Sequence, residues 1–107
     1  MLPSLFGSLV MLVLITYDVN VVSSDGQRRL RNIAKTCLDY GVRVQNSVFE
    51  CEVDPAQFTI LKNSLLDIYN PDTDSVRIYF LGKQGRKRIE HFGAKMAPDV
   101  LRDPLIL

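Results

Sequence analysis

Residues 1–17 carry no charge, and Asp18 follows them as the first carboxylate of the chain. It closes MLVLITY (residues 11–17), an apolar run rich in branched and aromatic residues that predicts a buried strand. A carboxylate at a strand end is held by the sheet yet stands beside a loop, where a ligand can reach it. Alone it makes a thin site. Two copies brought about 4–5 Å apart by a two-fold axis would repel by roughly 3–4 kcal/mol at an effective dielectric near 20, and a shared proton or a bridging cation would relieve that. Mg2+ suits the arrangement: it takes hard oxygen ligands, needs only one or two carboxylates, keeps several waters and can activate one for phosphodiester hydrolysis. The plainer role is that Asp18 caps the following loop through its own backbone, as strand-end Asp commonly does. Asp18 is the candidate catalytic and metal-binding residue.

Positive charge is the second feature. Arg28, Arg29, Arg31 and Lys35 form one run, and the i, i+3, i+7 spacing of Arg28, Arg31 and Lys35 puts them on one exposed face of a predicted helix. Arg28 and Arg29 fall near its N-terminus, where the helix dipole disfavours each cation by about 0.3–1 kcal/mol. An anionic partner would relieve that, and a solvated charged face is the ordinary alternative. Arg77 and the cluster Lys83, Arg86, Lys87, Arg88 extend the positive ground.

The total charge sets a limit on this reading. The chain holds 13 Lys+Arg against 12 Asp+Glu, a net charge of +1, which excludes a strongly basic polyelectrolyte and leaves any phosphate contact to local clustering. No aromatics interleave with the basic residues, so base reading is not expected. Gly82 and Gly85 lack the Lys-Ser/Thr and following helix of a phosphate loop and read as a turn. One histidine, His91, and two cysteines, Cys37 and Cys51, do not make up a zinc site. The cysteines read as small core residues of a cytoplasmic protein, and His91 as a strand residue.

These side chains need elements to hold them. With 107 residues, 47% of them hydrophobic, the chain makes one domain with enough core to dispense with structural metals and disulfides. Residues 1–10 read as an extension and 11–107 as the domain; Pro3, Gly7 and the charge pattern argue against a signal peptide or membrane span. Ser23-Ser24-Asp25-Gly26 starts a helix whose apolar stripe is Leu30, Ile33, Ala34, Cys37 and Leu38, and Gly41 ends it. Val42 to Val53 reads as extended, with a parity change that predicts a bulge or bend near Asn46-Ser47. Asp54-Pro55 opens a second helix with core residues Phe58, Leu61, Leu65 and Ile68. Ser75–Leu81 and Arg88–Phe92 read as strands, and Pro104-Leu105-Ile106-Leu107 as a C-terminal apolar strand.

The order β-α-β-β-α-β predicts an α+β, ferredoxin-like fold: a four-stranded antiparallel sheet with both helices on one face, plus the extra C-terminal strand. The first strand is apolar at both parities, and Tyr79 and Leu81 stand opposite Val76, Ile78 and Phe80, so the free face needs a cover. A second copy packed sheet to sheet predicts a homodimer.

Leu14-Ile15-Thr16-Tyr17-Asp18-Val19, Arg28 to Ala34, and Tyr40-Gly41-Val42-Arg43-Val44-Gln45-Asn46-Ser47-Val48-Phe49-Glu50-Cys51 together resemble CRISPR-associated protein two, the small ferredoxin-like partner of the spacer integrase. The resemblance spans about residues 11–107. It implies a homodimer that bridges two dimers of the CRISPR integrase subunit and holds protospacer DNA, and a magnesium-dependent endonuclease acting on single-stranded RNA or duplex DNA. It places the metal-binding aspartate on Asp18 and matches Arg43, a phosphate contact, Ser47, a bend, and Phe49, a core or interface residue. It also implies that the C-terminal strand crosses to the partner. Two functions share this fold: a Mg2+ nuclease built on Asp18, and a purely architectural DNA-binding adaptor.

Overall fold

The computed structural model describes residues 10–82 and 89–94. Its elements are β1 (Met11–Asp18), α1 (Ser24–Leu38), β2 (Gly41–Gln45), β3 (Val48–Val53), α2 (Pro55–Ile68), β4 (Ser75–Leu81) and β5 (Ile89–Gly93). Local chemistry accounts for where the helices begin. The Ser23 hydroxyl accepts from the Gly26 amide at 3.2 Å. Asp54 makes a reciprocal capping box, accepting from the Gln57 amide at 2.7 Å while its own amide donates to Gln57 Oε1 at 2.9 Å, and Pro55 takes the first helical position.

The five strands form one sheet in the order β2-β3-β1-β4-β5, and every neighbouring pair is antiparallel. This is the ferredoxin-like arrangement, widened by β5 on the β4 edge. Central β1 carries Asp18 at its end.

Period-two alternation decides which residues are buried. Val13, Ile15 and Tyr17 of β1, Phe49, Cys51 and Val53 of β3, and Val76, Ile78 and Phe80 of β4 form one core with Ile33 and Cys37 of α1 and Phe58, Leu61 and Leu65 of α2. Side chains such as Ile33, Leu61 and Leu65 are fully buried, each contributing about 1.5–3 kcal/mol of transfer free energy.

One local expectation needs correcting, and a second resolves into two features. Leu38 is 53% exposed: eight residues at about 100° each carry it about 80° round from Leu30, to the margin of the stripe. The bend expected near Asn46-Ser47 is the turn between β2 and β3, and a register shift lies just upstream of it, between Arg43 and Gln45. The hairpin closes at Gln45 opposite Val48, so the extra residue that changes parity is absorbed inside β2. Lys83, Arg86, Lys87 and Arg88, the C-terminal strand at 104–107, and residues 1–9 lie outside the described residues. Among the described residues no helix is long and apolar enough to cross a membrane.

The β1–α1 loop packs closely against the start of α1. A Cβ on Gly26 would overlap the carbonyl oxygen of Asn20. In an open helix Gly→Ala adds about 1 kcal/mol of stability, so the sign of the effect tests the packing. Gly26→Ala is expected to lower the free energy of urea unfolding by about 1–3 kcal/mol, the range for overpacking; a variant as stable as the parent would contradict this loop geometry.

Candidate active site and nucleic-acid interface

The same alternation that buries Ile15 and Tyr17 sends Leu12, Leu14, Thr16 and Asp18 to the sheet face that neither α1 nor α2 covers. Register places Ser75 opposite Asp18 and Arg77 opposite Thr16, with His91 opposite Arg77. Asp18, Arg77 and His91 therefore share one face on three adjacent strands. Diagonal neighbours in such a sheet are about 7–8 Å apart at Cα, within reach of a long side chain. Arg77 lays its guanidinium 5.2 Å from the centroid of the Tyr79 ring. Both ring nitrogens of His91 are shielded from solvent. On the β3 side the same face carries Glu50 and Glu52, opposite Leu14 and Leu12. Away from Asp18 the face becomes more apolar, with Leu12 39%, Leu81 40% and Val42 59% exposed.

The basic run lies in the other layer. Arg31 and Lys35 are exposed on α1, and exposed Arg28 pairs loosely with Asp25 at 3.4 Å. Such a surface pair is worth little and leaves Arg28 open to a phosphate. Arg29, from the same run, turns inward. Its Nε donates to Asp74 Oδ2 at 2.7 Å and its Nη2 to Asp74 Oδ1 at 3.2 Å. Arg43, on edge strand β2, stacks 5.0 Å from the Phe49 ring centroid and hydrogen-bonds Tyr17, partly offsetting the burial that raises the Tyr17 phenol pKa. The structure thus brings Asp18 and Arg77 onto one face, groups Arg28, Arg31 and Lys35 on another, and binds Arg29 and Arg43 to groups of the protein itself.

Asp74 was not evident from the sequence. It is fully buried, and its carboxylate also accepts from the amides of Asn20 at 3.0 Å and Asn70 at 2.9 Å and from the Thr73 hydroxyl at 3.0 Å. Burial pushes its pKa up, but the Arg29 guanidinium outweighs that, with the Asn70 and Asn20 amides and the Thr73 hydroxyl, and the group is held at about 2. An Asp three residues after a proline and just before a strand carries no periodic signal; only the three-dimensional return of α1 supplies its cation.

Among the described residues no three His, Cys, Asp or Glu side chains gather into a metal-binding group. Asp18 offers one exposed carboxylate, which fits half of a site for a hard, hydrated divalent cation. The thiols do not add to it: both cysteines are buried and free, and burial pushes Cys37 up to about 12 and Cys51 to about 11, so neither is a thiolate at neutral pH.

The sequence of CRISPR associated protein Cas2, taken as a family, matches residues 11–89. The chain belongs to that family. It is 58% identical over 97 residues to the CRISPR-associated endoribonuclease Cas2 of Chlorobaculum tepidum, covering 91% of this chain and 100% of the relative. It is 55% identical over 96 residues to the CRISPR-associated endonuclease Cas2 of Halalkalibacterium halodurans, covering 90% of this chain and 99% of the relative. The crystal structure of Streptococcus pyogenes Cas2 at pH 6.5 superposes with a TM-score of 0.65 at 55% identity, covering 75% of this chain and 96% of that one. These Cas2 relatives bear out the family resemblance and the ferredoxin-like fold.

Because the folded-state pKa of Asp74 lies below its ordinary value, the stability it contributes is complete above about pH 4–5 and is lost as pH falls toward 2. Removing one member of a buried pair costs about 3–5 kcal/mol. Asp74→Asn is therefore expected to unfold at lower urea concentration at pH 7 and to lose less stability than the parent between pH 4 and 2. Parallel pH profiles for the two proteins would contradict this assignment.

Proposed function

We propose that this chain works as a homodimeric, divalent-cation-dependent endonuclease of RNA or DNA phosphodiesters, and that the same dimer holds DNA for the CRISPR integrase subunit during spacer acquisition in the cytoplasm. The observation that carries the reading is the place of Asp18, at the end of the central strand on the sheet face left without helices. If two copies meet through that face about an axis running along β1, the two Asp18 carboxylates approach each other. The same axis sets the acidic β3 side of one copy, with Glu50 and Glu52, across from the β4 side of the other, with Arg77. One symmetry operation thus satisfies the apolar face, the charges beside it and the half-site.

In this reading Asp18 of the two copies would hold one Mg2+, which would supply a water of lowered pKa and offset phosphate charge. Arg77 stands on the same face, a row away, where it can meet a phosphate oxygen. Arg28, Arg31 and Lys35 make a separate backbone-binding track on each copy, and Arg43 lies at the β2 edge beside it. Such contacts position nucleic acid without reading sequence. Arg29 supports this track through Asp74.

The architectural adaptor is the second reading, favoured by the presence of one carboxylate per chain where two-metal nucleases gather several. Asp18→Asn separates the two. It is expected to abolish Mg2+-dependent cleavage of labelled RNA and DNA while leaving binding within about twofold. Cleavage at the parent rate would leave the adaptor reading alone. In the same assay, Arg28→Glu with Arg31→Glu should weaken DNA binding and flatten its dependence on salt; unaltered binding would remove α1 from the track.

A further inference from the structure

The β1–α1 loop is fastened in an unusual way for a surface turn. Three hydrogen-bonding groups of Asn20 are directed to named partners: its backbone amide donates to Asp74 Oδ1 at 3.0 Å, its side-chain oxygen accepts from the Val22 amide at 3.0 Å, and its carbonyl accepts from Arg29 Nη2 at 3.4 Å. That same carbonyl lies against Gly26, where any side chain would overlap it. Asn20 is two residues from Asp18. On the other side, Ser75, the next residue after Asp74, is the register partner of Asp18 in β4. Beyond it, the Asp74 carbonyl accepts from the Ala94 amide at 3.1 Å, tying in the end of β5. Asp18 is thus bracketed by two chain segments, and both are fastened at Asp74.

From this geometry we infer that Asp74, charged and held by Arg29, is a positioning residue for Asp18: it fixes the direction in which the central strand leaves the sheet and so aims the Asp18 carboxylate along the open face. The inference rests on the nuclease reading above and adds the device that makes a solvent-exposed carboxylate rigid enough to act. It also gives Arg29 a different part from its neighbours in the basic run. Arg28, Arg31 and Lys35 are exposed to solvent, Arg28 only in a loose surface pair with Asp25, whereas the Arg29 fork is bidentate on a buried carboxylate, a geometry that lysine cannot reproduce.

The test compares the parent, Asp74→Asn, Arg29→Lys and Asp18→Asn as full chains, at a temperature where thermal melts show each to be folded. Three quantities are measured: kcat and KM for cleavage of one labelled substrate, amide hydrogen exchange at Asn20, and the salt dependence of DNA binding. A positioning role predicts that Asp74→Asn lowers kcat about 10- to 100-fold with KM within about twofold, since a misplacement near 1 Å costs that much. Exchange at Asn20 should accelerate by at least about tenfold through local opening. Arg29→Lys should shift kcat in the same direction and leave the salt slope of binding unchanged, and it carries the test alone if Asp74→Asn does not fold. If Asp18→Asn is inactive but the folded Asp74 and Arg29 variants keep the parent kcat, the positioning role is overturned and the nuclease reading stands. If Asp18→Asn itself cleaves at the parent rate, the nuclease reading falls and the inference falls with it. A reduced salt slope in Arg29→Lys would return Arg29 to the binding track and overturn its structural assignment.

Discussion

Both helices of this fold lie on one side of the sheet, and everything else follows from that asymmetry. Side chains alternate along a strand, so covering one face leaves the other to solvent or to a partner. On the covered face, Val13, Ile15 and Tyr17 of the central strand meet α1 and α2 and supply the core. On the uncovered face, Leu12 and Leu81 remain 39% and 40% exposed at one end of the β1–β4 ladder, with Asp18 and Ser75 at the other and Arg77 between them. A single alternation thus produces both the stability of the domain and the face on which its chemistry is proposed.

Asp74 plays the complementary part at the end of the sheet. It is the one fully buried carboxylate among the described residues, and it draws donors from the β1–α1 loop, from α1 and from the turn before β4. A buried charge is tolerated when its lone pairs are filled, and this one accepts from Arg29, Asn20, Asn70 and Thr73. The effect is to join segments that are distant in sequence at a point close to Asp18. Rigid placement of a functional group by buried hydrogen bonds is the general requirement of a working site.

Much of this was legible in the chain. The helix caps at Ser23 and Asp54, the stripe Ile33-Cys37 and the alternation in Ser75–Leu81 are local signals, and local signals decide where elements begin and which face they bury. Asp18 stood out because a charge ends an apolar strand. Family motifs around Tyr40–Cys51 pointed to Cas2, and the family match bears that out. What stayed hidden depends on distance in sequence. The Arg29–Asp74 pair spans 45 residues, so the basic run looked uniform when one of its members faces inward. The alignment of Arg77 and His91 with Asp18 required the β1–β4–β5 register, which periodicity does not supply. The bend at Asn46-Ser47 was legible, but the register shift inside β2 was not, because parity shows that a residue is extra without showing where the ladder absorbs it.

The central claim is that two copies meet through the face bearing Asp18. Sedimentation velocity on the parent and on a Leu14→Glu variant, which plants a charge in the middle of that face, tests it most directly. The account predicts a parent species of twice the 12.1 kDa chain mass at micromolar concentration and a folded monomer for the variant. A parent that sediments as a single chain, or a variant that remains a dimer, would contradict it.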